Sequence, residues 1–280
     1  MKANRINSQG ATKRAVLVAL GVLTLTILVI GIIVTYTKLH DIWIEQCELV
    51  DIARQIRVTT GPNIKEGVIH EKFGLHKGTN LAMIDFRRKR EEILADIPNI
   101  REMRIERHLP DRVEIFVEER MPIARLQAKG GPKSYKVVDA EGVVFERARG
   151  TSLLPVIYES PKAPTPAGQR LTGRGWAALS MLELARTADF TDMQILDADI
   201  TPTDFIQMTL GNYDIAKIAW VSMDAPTSAT ADSLKSQLKH LHDAVVTGIA
   251  RTSSPAPTPI IWNAVIPGKK IYANTKEPIQ

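Results

Sequence analysis

The chain of 280 residues is poor in cysteine and in aromatic residues, with one cysteine and an aromatic fraction of 5%. The single cysteine, Cys47, excludes a disulfide within the chain, so packing must supply the stability. Two interpretations of Cys47 stay open, a plain thiol close to the membrane and an intermolecular disulfide. The sequence also lacks a Gly-x-Ser-x-Gly elbow, a P-loop and a His-Glu-x-x-His pattern, and these absences argue against the common hydrolases, nucleotide-binding enzymes and zinc proteases.

Charge is missing altogether from residues 15–37, AVLVALGVLTLTILVIGIIVTYT. A helix of this length rises about 1.5 Å per residue and spans roughly 35 Å, which is enough to cross a bilayer. A cleaved signal peptide is the alternative, but its apolar region normally has about 7–15 residues and ends at a small-residue cleavage site. The longer run, followed by Tyr36 and Lys38, predicts an uncleaved transmembrane anchor.

The charges that flank this run differ in sign. Basic residues without acidic ones precede it, and acidic residues follow it closely: Lys2, Arg5, Lys13 and Arg14 before, Asp41, Glu45, Glu48 and Asp51 after. The basic flank predicts a cytoplasmic N-terminus and export of residues 38–280. Four of the 36 basic residues lie in the tail, so the exported part nearly balances its 31 acidic residues and is not expected to bind nucleic acid.

The first exported segment shows a strand-helix-helix-strand-strand order. Alternating apolar residues predict a strand over 50–60, and Asn63 and Asp85 are predicted to cap two helices that end at Gly74 and Pro98. Two further strands follow, around Met103–Ile105 and over 112–118. The basic run Arg87-Arg88-Lys89-Arg90 is interpreted as a solvated helix face, since Glu91 and Glu92 follow it, with a dedicated binding patch as the alternative.

Two stretches of this segment resemble a known family. Residues 97–124, IPNIREMRIERHLPDRVEIFVEERMPIA, are similar to the end of the POTRA domain of FtsQ/DivIB bacterial division proteins. Residues 73–81, FGLHKGTNL, are similar to that family's Gly-Leu…Gly-x-Asn-Leu loop. With a short basic tail and one membrane helix, the resemblance covers roughly residues 15–125.

The resemblance continues more loosely along the second exported segment. Residues 135–145 predict a hairpin and resemble the family's Val-Asp-x-x-Gly-x-Val-Phe signature, and Leu154-Pro155-Val156-Ile157 resembles its next short motif. Helices are predicted over 175–188 and 234–249, a hairpin over 205–220, and a last strand over 260–265. The family's Asp-Leu-Arg-like motif is absent from this last stretch.

These patterns predict an α+β protein: a single N-terminal transmembrane helix, a small POTRA domain (β-α-α-β-β), and a larger mixed α/β domain with a mainly antiparallel sheet. The expected boundaries are 1–14 for the tail, 15–37 for the membrane helix, 38–49 for a juxtamembrane segment, 50–120 for the POTRA domain and 121–280 for the C-terminal domain.

Candidate catalytic and metal-binding residues are few. Of six histidines, His240 and His242 stand two apart on a predicted helix, where they point to different faces. Glu114 and Glu118 share a strand face as paired catalytic carboxylates would, but solvent-facing charges on a half-buried strand are the commoner explanation. We therefore expect no catalytic, cofactor or metal site, and no small-molecule substrate.

The resemblance implies a bitopic scaffold of the division septum that recruits and links other division proteins. The alternatives are a membrane-tethered envelope enzyme and another POTRA-containing assembly factor. In proteins similar to this one, the C-terminal domain captures small bitopic coiled-coil proteins of the FtsB and FtsL type, partly by adding a strand to an exposed sheet edge. The candidate contact residues are Ile260, Ile261, Trp262, Asn263, Ala264, Val265 and Tyr272, with Trp262 as anchor. The alternative is that Trp262 belongs to the core.

Overall fold

The computed structural model describes residues 8–108, 110–190, 192–219, 228–251, 260–264 and 272–274. The fold is α+β, as the sequence predicts, with one apolar N-terminal helix followed by sheet-rich structure. The chain forms two compact units, residues 1–90 with 103–117 and residues 91–102 with 118–280.

The N-terminal helix α1 is longer than the sequence predicts. It runs from Ser8 to Gln46, so the stretch expected to be a separate juxtamembrane segment is helical almost to Cys47. The part apolar enough to span a membrane is Leu20–Gln46. Its threonines return their hydroxyls to backbone carbonyls, for example Thr35 Oγ1 to Gly31 O at 2.8 Å, so the helix presents a continuous apolar surface that lipid can cover.

The first unit continues with short elements after α1. They are α2 (Ile52–Gln55), β1 (Ile56–Thr59), α3 (Glu66–Phe73), α4 (Phe86–Asp96), β2 (Ile100–His108) and β3 (Arg112–Glu119), of which α4 ends and β2 begins in the second unit. The three strands form a sheet in the order β1-β3-β2, with β1 parallel to β3. This is the predicted β-α-α-β-β order with one extra helical turn in front.

That extra turn corrects the predicted strand over 50–60. Asp51 caps α2 by accepting the Ala53 N–H, and Gln55 Oε1 accepts the N–H groups of Val50 and Asp51 at 2.8 Å each. Local side-chain bonds therefore outcompete the alternating apolar pattern, and only residues 56–59 pair as a strand.

Of the two predicted N-terminal helix caps, one is wrong and one is confirmed. Lys65, not Asn63, precedes α3, whereas Asp85 Oδ1 accepts the Arg88 N–H at 3.0 Å and caps α4 as expected. Gly74 ends α3 with a φ of 71°, a left-handed conformation that favours glycine.

The second unit is built on one large sheet. Its strands are β4 (Pro122–Ala128), β5 (Lys136–Asp139), β6 (Val144–Glu146), β7 (Val156–Glu159), β8 (Ile195–Asp199), β9 (Phe205–Leu210), β10 (Ile215–Ala219), β11 (Ile261–Ala264) and β12 (Tyr272–Asn274). They lie in the order β12-β11-β10-β9-β8-β7-β4-β5-β6, and five of the eight strand pairs are antiparallel. The mainly antiparallel sheet is as predicted.

Two helices cover this sheet, α5 (Gly173–Leu184) and α6 (Ser228–Arg251), and they contact each other. Both are predicted by the sequence with shifted ends. The apolar face of α6 lies in the core, where Leu234, Leu238 and Leu241 have no solvent exposure. The core also contains Phe190 and Met208.

Residues 91–102 group with the second unit, whereas the sequence places them in the POTRA domain. Two side chains in this stretch bind the second unit's own hairpin: Asn99 Nδ2 donates to Glu146 O at 2.7 Å, and Arg101 Nε donates to Glu141 Oε1 at 2.8 Å. The predicted domain boundaries stay a prediction.

Candidate functional site

The predicted partner-binding strand lies inside the sheet. β11 pairs in parallel with β10 on one side and antiparallel with β12 on the other, and α6 contacts it as well. The expectation that residues 260–265 form the open edge is therefore wrong, because a further strand, Tyr272–Asn274, adds beyond them. Whether these residues bind a partner is a separate question and stays a prediction.

Trp262 belongs to the core of the second unit. Its exposed fraction is 5%, and its Nε1–H donates to Asp214 Oδ2 at 3.0 Å. The burial agrees with the core interpretation of Trp262, and a role as partner anchor stays a prediction. The other predicted residues differ from one another: Ile261 is buried, Ile260 and Ala264 are half-buried, and Asn263 is exposed. Val265 and the Tyr272 side chain lie outside the described residues.

Asp214 holds the start of β11 against the β9–β10 turn. Besides the indole of Trp262, its carboxylate accepts the Ile260 N–H at 2.9 Å and an N–H of the Asn212 side chain at 2.8 Å. The Ile215 N–H donates in turn to Ile260 O at 2.9 Å. We call Asn212, Asp214, Ile260 and Trp262 the Asp214 clamp. A buried carboxylate with three donors is well satisfied, so the clamp fixes the register of β11 and, through it, of β12.

The two ends of the large sheet are unlike. At the β6 end, the Val144 N–H donates to Gln169 O at 2.9 Å and the Gly168 N–H donates to Val144 O at 2.7 Å, so a chain segment covers the edge. At the other end β12 is outermost, and within the described ranges no backbone group bonds to its outer side. β12 is therefore the edge at which an extended segment can add.

Two motifs of the sequence meet at one ion pair. Arg120, from Glu-Arg-x-Pro, donates from Nη1 to Asp139 Oδ2 at 2.6 Å and to Glu141 Oε2 at 3.1 Å, and from Nε to Pro98 O at 3.0 Å. Asp139, from Val-Asp-x-x-Gly-x-Val-Phe, also accepts the Val143 N–H at 2.8 Å. The side chains of Arg120 and Asp139 are 13% and 6% exposed, so the ion pair is largely desolvated.

The turn that follows Asp139 explains why the Val-Asp-x-x-Gly-x-Val-Phe signature has a glycine at position 142. Gly142 has a φ of 79°, and a Cβ at this position would lie 3.0 Å from the Trp176 ring. A side chain is excluded on both grounds. The two motifs thus form a structural joint, and nothing in this arrangement requires catalysis.

Glu141 is held as a carboxylate. Hydrogen bonds from Arg101 and then Arg120 lower the pKa of Glu141, opposed by partial burial. Arg101 also donates to Glu118 at 2.8 Å. Glu114, the other half of the predicted carboxylate pair, lies 3.8 Å from the Arg57 guanidinium instead. Glu114 and Glu118 therefore have different arginine partners, Arg57 and Arg101.

A group that sequence reasoning missed lies on the β2–β3 hairpin. Metal-ligating atoms of Glu106, His108 and Glu114 lie within 4.8 Å of one another. The signal was available, since Glu106 and His108 stand two apart on one strand face. Arg104 lies 3.1 Å from Glu106 and Arg57 lies 3.8 Å from Glu114, so both carboxylates already have cationic partners and compete poorly for a metal ion.

The two histidines on α6 do not converge on a site. The His242 ring packs edge-on against Phe190, with centroids 5.7 Å apart, and its Nδ1 lies 3.5 Å from Asp243. His240 is exposed. Cys47 is buried next to α1, and burial raises the pKa of its thiol. A protonated, buried thiol favours the plain structural interpretation over an intermolecular disulfide.

Comparison with known proteins identifies the segment that follows α1. Among the described residues one helix could span a membrane and sheet-rich structure follows it, which fits a single-pass membrane protein. Residues 53–120 match the family of FtsQ-type POTRA domains. The chain therefore carries an FtsQ-type POTRA domain, which supports its resemblance to the FtsQ/DivIB division proteins. No curated protein matches the chain.

Proposed function

We propose that this protein is a bitopic scaffold of the bacterial division septum, which recruits and links other division proteins during septal cell-wall synthesis. The observation that carries the proposal is the FtsQ-type POTRA match over residues 53–120, directly behind the candidate membrane helix α1. In this proposal the protein turns over no substrate and binds neither a cofactor nor nucleic acid.

The protein is proposed to lie in the cytoplasmic membrane with its N-terminus in the cytoplasm. The basic residues before the apolar run and the acidic residues after it support this orientation. A reporter that is active only in the cytoplasm, fused after Gln280, should be silent, and an active fusion would reverse the orientation.

Small bitopic coiled-coil proteins of the FtsB and FtsL type are the proposed partners, and the open side of β12 is their proposed binding edge. The backbone of Tyr272–Asn274 would pair with an extended partner segment, and β11 with the Asp214 clamp would hold that edge in place. Residues Ile260–Ala264 then support the partner site from behind, with Tyr272 on the contacting strand.

Depletion in the native bacterium tests the proposal. Loss of the protein should give filamentous or chained cells that lack septa, and a wild-type copy should restore division. Tyr272→Pro and Ala273→Pro form a matched pair, because N–H groups of neighbouring strand residues point to opposite sides and proline removes one of them. The variant whose lost N–H group faces β11 should lose pairing with β11. The other should fold normally and fail to restore division. Normal division after clean loss, with no paralogue present, contradicts the proposal.

A further inference from the structure

A groove of about 800 Å³ lies in the second unit at a place that the proposed partner edge does not use. It is formed where the parallel strands β7 and β8 begin, beside β4 and the C-terminal end of α5. The loop that precedes β7 contributes Leu153, and the segment that precedes β8 contributes Met193. None of these three strands was predicted from the sequence, and the groove was therefore not predicted either.

The inner part of the groove is apolar and its rim carries an exposed leucine. Leu182 and Met193 are each 3% exposed and Ile195 is 7% exposed, so they belong to the packed core and offer only one side to the groove. Leu153 is 98% exposed, the highest value among the large apolar residues that the structure describes. A lone exposed leucine is ordinary on a protein surface, but Leu153 lies beside the apolar part of the groove and extends that apolar surface outward.

The charge of the groove has one sign. Arg125 and Arg186 line it, and no carboxylate does. Arg125 Nε donates to Leu154 O at 3.1 Å, which fixes the guanidinium at the groove. Among the described residues neither arginine has an acidic partner, although the second unit contains many carboxylates and pairs several of its other cations. Two such guanidinium groups beside an apolar cleft are complementary to carboxylates on an apolar partner.

From this chemistry we infer that the groove binds an amphipathic segment of another protein. The segment carries Leu or Ile side chains beside Asp or Glu side chains. Apolar side chains of the segment cover Leu153 and enter the cleft, and its carboxylates pair with Arg125 and Arg186. The inference rests on the proposed function, in which the exported part of the chain binds other proteins.

The groove and the β12 edge can be occupied at the same time. Four strand steps separate β8 from β12 in the sheet, which at about 4.8 Å a step is roughly 19 Å. A segment in the groove therefore does not displace a strand added at β12. Two partner sites in one unit would let the chain link two proteins rather than hold only one.

Photo-crosslinking in living cells tests the inference with the full-length chain. Benzoylphenylalanine replaces Leu153, which is exposed and so tolerates the change, or Tyr213, which is 71% exposed on the β9–β10 turn and serves as the position control. The expected result is a product at position 153 but not at 213, with the captured segment located by mass spectrometry and rich in Asp or Glu beside Leu or Ile. Arg186→Glu should abolish it, and Arg149→Glu, an exposed arginine outside the groove, should not.

The located segment, made as a synthetic peptide, then provides the quantitative measurement. Arg186→Glu should weaken its binding to the full chain at least tenfold by fluorescence anisotropy. Glu→Gln changes in the peptide should weaken it similarly, and a Glu→Arg peptide should recover binding to Arg186→Glu. Absence of a product at 153, a lipid or second-copy product, or binding that ignores Arg186 would each overturn the inference. If depletion impairs division but no product forms at position 153, the proposed function holds and the groove inference is wrong. If a product forms at position 153 but division is normal without the protein, the groove inference holds and the division role is wrong.

Discussion

Replacing Trp262 separates the core interpretation of this residue from the anchor interpretation. Trp262 is 5% exposed and bonds to a buried carboxylate, so its removal should weaken the fold of the second unit before it affects any partner. Trp262→Ala should lower the free energy of unfolding by about 3–5 kcal/mol, the range for large aromatic truncations in cores. Trp262→Phe keeps most of the ring and loses the Nε1–H donor, which points to about 1.5–3 kcal/mol for a hydrogen bond to a charged group.

These losses are measurable as shifts of the melting temperature. For a domain of about 150–250 residues each kcal/mol corresponds to roughly 2–4 °C, so Trp262→Ala should lower Tm by at least about 6 °C. Near-ultraviolet circular dichroism of the full chain in detergent micelles follows the transition. Leu153→Ala is the matched control, since its side chain is 98% exposed and its Tm should not move.

The opposite outcome would refute the core assignment. If Trp262→Ala leaves Tm within about 1 °C of the wild type, the stability argument fails. If the same variant also weakens partner binding by about 2 kcal/mol or more, the indole is an interface anchor as the sequence analysis proposed.

Two further substitutions test charged groups. Arg120→Ala leaves the Asp139 carboxylate buried without its cation and should cost about 3–5 kcal/mol in urea unfolding, whereas the exposed Arg149→Ala should change stability by less than about 0.5 kcal/mol; equal effects would show that the ion pair is not buried. Burial raises the pKa of Asp197 above its ordinary 3.8, so its charge destabilises the folded state at higher pH. Asp197→Asn, which keeps the acceptor for Thr209, should unfold at higher urea than the wild type at pH 7, and this advantage should vanish below pH 3.8; an advantage that is independent of pH would contradict this.

The sequence predicted those helices and strands that are determined by residues close together in the chain. The capping of α4 by Asp85, the spacing of apolar residues on α6 and the hairpin over 135–145 all depend on residues a few positions apart, and each is found. The matched POTRA segment follows the same rule, since its order of elements was evident from alternation and turns. The first turn of α2 was missed because Gln55 offers the backbone an alternative to the strand.

The missing parts depend on distant partners. Strand β7 pairs in parallel with β4 on one side and with β8 on the other, and both pairings join segments about 30 to 40 positions apart in the chain. Trp262 was assigned to an edge because nothing in the sequence reveals its bond to Asp214, 48 positions away, or the short strand that follows. The groove beside Arg125 could not be predicted either, because it forms only where β4, β7 and β8 lie side by side.

The cover over β6 has a consequence for how copies of this chain can associate. A sheet with two open ends can add neighbours head to tail without limit, as fibrous assemblies do. Here residues 168–170 occupy one end, and among the residues that the structure describes β12 is the end of the large sheet that remains for pairing. A single open end allows one added strand, or one symmetric pairing of two β12 strands, and then growth stops. The large sheet therefore ends an assembly of copies after one pairing instead of propagating it.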